Sequence, residues 1–179
     1  MTTMIPTWVN GKLQPVEKLK AHRRGLRHQA ISVFVLRGEK ILLQQRALGK
    51  YHTPGLWANA CCTHPHWGEA SEACATRRLR EELGISGLSL AHRHNLEYRA
   101  DVGGGLIEHE VVDVYVAHAA DGIAMSPNPE EVMNTAWISY HDLIAKIDAD
   151  PGDYTPWLQI YMNDYAMHIF GSEMVADEA

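Results

Sequence analysis

Cysteine is scarce in this chain of 179 residues: Cys61, Cys62 and Cys74 are all there is. An odd, small set cannot complete a disulfide framework, which argues against an oxidised secreted scaffold and for a reducing, cytoplasmic setting. Met1 to Asn10 carries neither a basic region nor an apolar run, so no signal peptide is expected there. Long hydrophobic stretches are also missing. The most notable, Ile31 to Leu36, is interrupted by Ser32 and falls far short of the ~18 residues that a spanning helix requires, so membrane insertion is not expected. Basic charge is in deficit, with 16 Lys and Arg against 22 Asp and Glu and a formal net charge of −6. That balance argues against a broad nucleic-acid surface, and an anionic ligand would need a local basic pocket. Repeats, low-complexity tracts and linkers are lacking too, which leaves no place for a second domain to begin.

The chain therefore reads as one domain over residues 1–179, with a core from about 17 to 170 and a frayed tail from 171 to 179. A chain of this size buries about 70% of its unfolded surface and needs no metal or disulfide staple to hold a core. The pattern is α+β. Gln29 to Leu36 and Lys40 to Gln45 are β-rich runs joined at Arg37-Gly38-Glu39, a plausible hairpin. Glu69 to Leu83 carries helix formers, with Ala75, Leu79 and Leu83 at four-residue spacing and Gly84 as the stop. Extended runs follow at Leu88 to Arg99, Leu106 to His118 and Val132 to Ile138. Ser139 to Asp142 looks like a capping box opening a helix to Ile147. Thr155-Pro156 offers a cap and a first-turn proline for a last helix reaching about Phe170.

Histidine, by contrast, is plentiful at 11 residues, offering neutral ligands and proton carriers. Strand alternation over Leu106 to Val116 puts Glu108 and Glu110 on one face with Leu106, Val112, Val114 and Val116. Two carboxylates on a largely apolar face are costly unless a cation neutralises them or one binds a proton. The ordinary alternative is a wet sheet edge with both acids solvated. In the extended stretch Asn59 to Pro65, Cys62 and His64 share a face and Cys61 points away. A buried thiol is by itself most often a small hydrophobe. With His22 and His28, these residues form a His/His/His/Glu/Glu cluster if the segments meet in space, although no spacing matches a zinc module.

Glu69, Arg77, Leu79, Glu81-Glu82, Gly84 and Ile85 resemble the Nudix box, a loop-helix-loop whose glutamates bind Mg²⁺ on a diphosphate. Two positions depart from it: Thr63 stands where the first Gly is expected, and Arg78 replaces a metal-binding Glu. An arginine there can pair with Glu82 one turn on or with phosphate, favouring a relative that holds a diphosphate without cleaving it. The order Glu17-Lys18, His22, His28, Arg46-Ala47-Leu48, Lys50, Pro54-Gly55, Asn59, Cys62, His64-Pro65, Gly68-Glu69, Arg77-Arg78, Glu81 to Gly84, Tyr98 to Ala100, Glu108-x-Glu110 and Thr155-Pro156-Trp157 resembles the type 1 isopentenyl diphosphate isomerases. The resemblance implies a Nudix-type fold, a mixed sheet flanked by helices, and conversion of isopentenyl diphosphate to dimethylallyl diphosphate through a tertiary carbocation.

Position by position, the resemblance implies that His22, His28, His64, Glu108 and Glu110 hold a divalent metal and that Cys62 and Glu110 flank the isoprenoid carbons. It also implies that Tyr98 assists proton movement at Glu110 and that Glu82 meets a Mg²⁺ carried by the substrate. Lys18, Arg46, Lys50 and Arg78 match the diphosphate contacts, and Trp157 is the cation stabiliser. Cys62 would need nearby cations to lower its thiol. Three imidazoles favour Zn²⁺, Mn²⁺ or Fe²⁺, while two carboxylates admit Mg²⁺; the ion on the diphosphate is expected to be Mg²⁺. The expected partner is the small-molecule substrate, with the protein a monomer and a dimer as the alternative. Two other readings compete: a Nudix hydrolase of nucleoside diphosphate derivatives, and a non-catalytic metal-binding module.

Overall fold

The computed structural model describes residues 3–176. The first two strands, β1 (Met4–Val9) and β2 (Lys12–Glu17), form an antiparallel hairpin. Its turn is Asn10-Gly11, with φ of 50° and 74°, the dipeptide whose tolerance of positive φ suits a two-residue hairpin loop. The ordered unit thus begins upstream of the expected start at Glu17, and Ile5 is fully buried. Helix α1 (Lys18–Arg23) follows at once, because the Glu17 carboxylate accepts from the backbone N–H groups of Leu19 at 2.9 Å and Lys20 at 2.7 Å. One turn of helix then sets Lys18 and His22 on one face.

Strand β3 (His28–Arg37) is the hub. It meets β4 (Lys40–Arg46) only at the hairpin end, Leu36 opposite Ile41 and Arg37 opposite Lys40, after which the two strands part. Past that point β3 pairs antiparallel with β6 (Cys61–Thr63) and parallel with β8 (Ile107–His118), while β4 takes β5 (Trp57–Asn59) and β9 (Val132–Ser139). Strand β7 (Ala91–Asp101) closes the far side against β8. The sheet is mixed, as expected, and both of its faces are covered.

Alternation along β3 explains the two layers. Ala30, Phe34 and Leu36 join one apolar cluster with Val112, Val114, Val116 and Leu158, and Ile31, Val33 and Val35 join another with Leu79, Leu83 and Ile85. A strand buried on both faces must be apolar throughout. The second layer is capped by α2 (Ser71–Leu83), which begins two residues later than the expected Glu69. It ends at Gly84, φ 67°, where a Cβ would sit 2.8 Å from the backbone N and O of Ser126. Only glycine fits that left-handed close approach.

The first layer is covered by α3 (Tyr140–Ala149) and the C-terminal helices. Ser139 caps α3 by accepting from the Asp142 N–H at 3.1 Å, as anticipated. The expected last helix is two helices, α4 (Pro156–Asp164) and α5 (Ala166–Phe170), because Tyr165 leaves helical geometry at φ −127°, ψ 2°. Pro156 does occupy the first turn, but the Thr155 hydroxyl makes no cap and is buried without a partner among the described residues. The segment expected to fray after Gly171 instead forms a single turn, α6 (Ser172–Val175), whose Met174 packs on the core; residues 177–179 lie outside the described residues. Among the described residues, no helix is long and apolar enough to cross a membrane.

Candidate active site

Sheet register brings the chemistry together. The parallel pairing sets His28 opposite Glu110, the antiparallel pairing sets Tyr98 opposite Glu110 and Ala100 opposite Glu108, and Cys62 lies opposite Ser32. His64 follows directly from β6, and α1 delivers His22 above them. The two acids are 4% and 2% exposed, so they do not lie on a solvated sheet edge.

Two of the three histidines are oriented by their second nitrogen, and the His64 Nδ1 is buried without a partner among the described residues. His22 Nδ1 lies 2.7 Å from the Lys18 carbonyl and His28 Nδ1 lies 2.6 Å from the Leu26 carbonyl. A carbonyl only accepts, so both Nδ1 atoms carry the proton and both Nε2 atoms present a lone pair. Those lone pairs face inward. His28 Nε2 is 3.2 Å from His64 Nε2, which is 2.8 Å from Glu110 Oε1. His22 Nε2 is buried with no partner among the described residues. The three rings form a near-equilateral triangle with centroids 4.8 to 4.9 Å apart. Burial, followed by the neighbouring His28, pulls His22 down to about 4, and burial holds His64 well below its usual value despite Glu110. Neutral imidazoles and a carboxylate converging with unused lone pairs are a donor set for a divalent ion. Ligand atoms of His22, His28, His64 and Glu110 lie within 4.8 Å of one another, and a second such group joins His22, His52 and Glu108.

Tyr98 ties the two acids. Its hydroxyl is 2.9 Å from Glu108 Oε2 and 2.8 Å from Glu110 Oε2. A phenol has one proton to give, so one carboxyl must carry a proton of its own and donate back. Burial and the Glu110 charge push Glu108 well above the usual carboxyl range. Burial also works against Glu110, but His64 and His28 outweigh it and hold Glu110 below that range. The resulting order is Glu108 protonated, Tyr98 in the middle, Glu110 ionised.

Cys62 does not have the lowered thiol pKa that acting as a thiolate would call for. Burial drives its thiol well above the ordinary value, and Glu110 and Glu108 push the same way. It therefore stands as a thiol rather than a thiolate, its Sγ 3.7 Å from both the Ser32 Oγ and the Tyr161 hydroxyl. Cys61 faces the other core layer, where it donates to Glu82 Oε1 at 3.8 Å. The expected facing of this pair holds.

Cys62, His64, Glu108, Glu110 and Trp157 line one narrow cleft together with Lys18, Arg46, Lys50 and Arg78. Four cations around one opening repel one another. Burial first, then Lys50, Arg78 and Arg46, bring Lys18 down to about 8. Such a mouth is short of negative charge and suits a polyanionic group. Glu131, which no spacing in the sequence marked, partly fills that need by pairing with Lys50 and, at 3.4 Å, with Arg78. Trp157 is 1% exposed with Arg46 over its ring at 5.2 Å, so one cation already lies against it.

The carboxylates of the box are engaged within the protein. Glu69 is held by Arg77, Glu81 by Arg77 and Arg78, and Glu82 Oε1 by Arg78 at 2.6 Å while Gln44 donates to Oε2 at 3.0 Å. None of the three falls in either metal-binding group. Glu82, expected to meet a second ion, thus has both oxygens engaged within the protein. The sequence reading also passed over His52, which is buried, lines the cleft and lies 3.5 Å from Glu108. Its only sequence signal was its place two residues after Lys50.

The model of the NUDIX domain matches residues 26–158. An isopentenyl-diphosphate Delta-isomerase of Roseobacter denitrificans is 63% identical over 171 residues, covering 96% of this chain and 97% of that protein. Among solved structures, a protein of Deinococcus radiodurans superposes with a TM-score of 0.69 at 13% identity over 90% of this chain and 98% of its own. A MutT NUDIX hydrolase of Burkholderia pseudomallei gives a TM-score of 0.60 at 24% identity, over 78% of this chain and 98% of its own. The last two establish likeness of fold.

Proposed function

The chain belongs to the NUDIX family and, within it, to the isopentenyl-diphosphate Delta-isomerases, and from that premise we propose how its own residues carry the reaction. The enzyme converts isopentenyl diphosphate to dimethylallyl diphosphate in isoprenoid biosynthesis. The chemistry adds a proton to the terminal carbon of an unactivated alkene, passes through a tertiary carbocation, and removes a proton from the neighbouring methylene. It needs a donor, an acceptor and a slot closed to water, because water would trap the cation.

Cys62 and Glu110 are the proposed pair. In the protonation state described above, Cys62 holds its proton and Glu110 does not. In the forward direction Cys62 gives its proton to the alkene and Glu110 takes the methylene proton, and a net return of one proton from Glu110 to Cys62 after product leaves restores the starting state; Tyr98, 2.8 Å from Glu110 and 2.9 Å from Glu108, holds the Glu110 carboxyl in place through the exchange. The reverse reaction exchanges the two roles. His22, His28, His64, Glu108 and Glu110 are the proposed ligands of a divalent ion, Mn²⁺, Zn²⁺ or Mg²⁺, which when bound makes a Glu110 carboxyl proton easier to give. Lys18, Arg46, Lys50 and Arg78 take the diphosphate with its own Mg²⁺, and this anchoring fixes the alkene against the pair. Trp157 walls the slot with an electron-rich ring, a contact that contributes on the order of 2 kcal/mol to a dry cation. Glu82 is assigned the holding of Arg78 rather than a metal. A cytoplasmic monomer is the proposed working form.

The observation that carries this reading is the meeting of a partly buried thiol, a bridged pair of acids and four cations in one cleft. Purified chain incubated with isopentenyl diphosphate and Mg²⁺ in ²H₂O gives dimethylallyl diphosphate bearing deuterium, with no phosphate released. Cys62→Ala removes nearly all turnover, whereas Cys61→Ala keeps most of it. Equal loss from both variants contradicts the assignment of Cys62, and phosphate release without isomer favours the hydrolase.

A further inference from the structure

We propose that His52 is an additional ligand of the divalent-ion centre, reaching it through Nε2 on the Glu108 side. The inference rests on the metal-dependent reading above but concerns a residue outside the set that reading uses. Ligand atoms of His22, His52 and Glu108 lie within 4.8 Å of one another, and all three residues are buried. His22 is shared with the other group, and its single inward lone pair has no protein partner among the described residues. An ion that takes this lone pair therefore lies at the junction of both groups, within reach of either side.

The loop around His52 is built to hold that ring inward. Arg46 spends two guanidinium N–H groups on it, donating to the His52 carbonyl at 3.1 Å and the Thr53 carbonyl at 3.1 Å. Thr53 is β-branched yet sits at φ 45°, a conformation that costs about 1–3 kcal/mol and persists only where surrounding contacts over-determine it. His52 Nδ1 lies 3.0 Å from the Thr53 hydroxyl, which can take its proton and leave Nε2 with a lone pair toward Glu108 Oε1, 3.5 Å away. That distance is too long for a good hydrogen bond. A cation between the two uses both atoms, whereas direct contact uses neither well. Trp157, perpendicular to it at a ring separation of 5.8 Å, and Tyr51 at 4.2 Å pack against the ring and limit its freedom to turn elsewhere.

The test loads the full chain with Co²⁺ alone and records its proton NMR spectrum. Each ligating imidazole bound through Nε2 contributes a strongly shifted, solvent-exchangeable Nδ1–H signal. The expected spectrum has one such signal for each of His22, His28, His52 and His64, and His52→Gln removes one while keeping the others. Co²⁺ affinity measured by chelator competition falls about tenfold or more in the same variant, the scale on which neighbours of a metal matter. His52→Asn, with a melting curve recorded free of metal, separates ligand loss from unfolding. Signals for His22, His28 and His64 only, unchanged by either substitution in a folded variant, overturn the proposal. Failure of the wild-type chain to form dimethylallyl diphosphate would instead strike at the catalytic reading and leave the ligand count standing.

Discussion

Removing one oxygen tests the arrangement of the acids most directly. In Tyr98→Phe the ring stays in the core, while the hydroxyl that meets Glu108 at 2.9 Å and Glu110 at 2.8 Å disappears. Each is a hydrogen bond to a carboxyl group at a site where the donor is 7% exposed and the acids 4% and 2%. Such bonds contribute about 1.5–3 kcal/mol each, and water cannot readily replace the lost partner. Since the two bonds share one phenol, we take the combined loss as roughly 2–4 kcal/mol in the metal-free protein. For a domain of this size that corresponds to a fall in melting temperature of roughly 4–16 °C. A saturating divalent ion shrinks the deficit, because the carboxylates then have another partner.

Turnover of Tyr98→Phe falls about 100- to 1,000-fold, the lower part of the range for a positioned proton carrier, because Tyr98 works through Glu110 rather than on carbon. The diphosphate anchors are untouched, so KM changes little. The assay is initial-rate isomerisation with saturating Mg²⁺, paired with thermal melts with and without chelator. A variant that melts within about 1 °C of wild type in chelator and keeps its kcat refutes the bridged-acid arrangement.

Lys18, held near 8 rather than at its usual 10.5, makes the anion seat sensitive to pH. With folded pKa below unfolded, the charged form is disfavoured in the empty protein, so the strain it represents is present below about pH 8 and relieved as pH rises. Inorganic pyrophosphate needs the charge, so its affinity by calorimetry falls as pH climbs past about 8. In Lys18→Gln the affinity is lower throughout and that part of the slope is gone; an unchanged slope removes Lys18 from the seat. Gly84→Ala places a methyl 2.8 Å from the Ser126 backbone at φ 67°. A loss of roughly 2–4 kcal/mol is expected in urea melts, and a loss under about 0.5 kcal/mol would show that the 84–126 contact yields.

How much was readable in advance differs by residue. The alternation that put Glu108 and Glu110 with Leu106, Val112 and Val114 on one face was local and held, because a strand's period of two leaves no choice. The opposed facing of Cys61 and Cys62 held for the same reason. The hairpin at Asn10-Gly11 carried a local signal that the reading passed over. The break at Tyr165 did not: the residues from Pro156 to Phe170 suit one helix, and tertiary packing overrode propensity.

The amino-acid order by itself determined which side chains share a face, where glycine and proline punctuate the elements, and that a diphosphate-handling box had exchanged a carboxylate for Arg78. Whether those faces meet was decided only by long-range pairing. His28 reaches Glu110 through a parallel register spanning 82 positions of chain, Tyr98 joins two acids across an antiparallel one, and His52 arrives from a loop with no periodicity to announce it. Charge state was decided there as well. Burial and like-charged neighbours, neither of which exists in an extended chain, keep Cys62 a thiol, leave Glu108 protonated and pull Lys18 down.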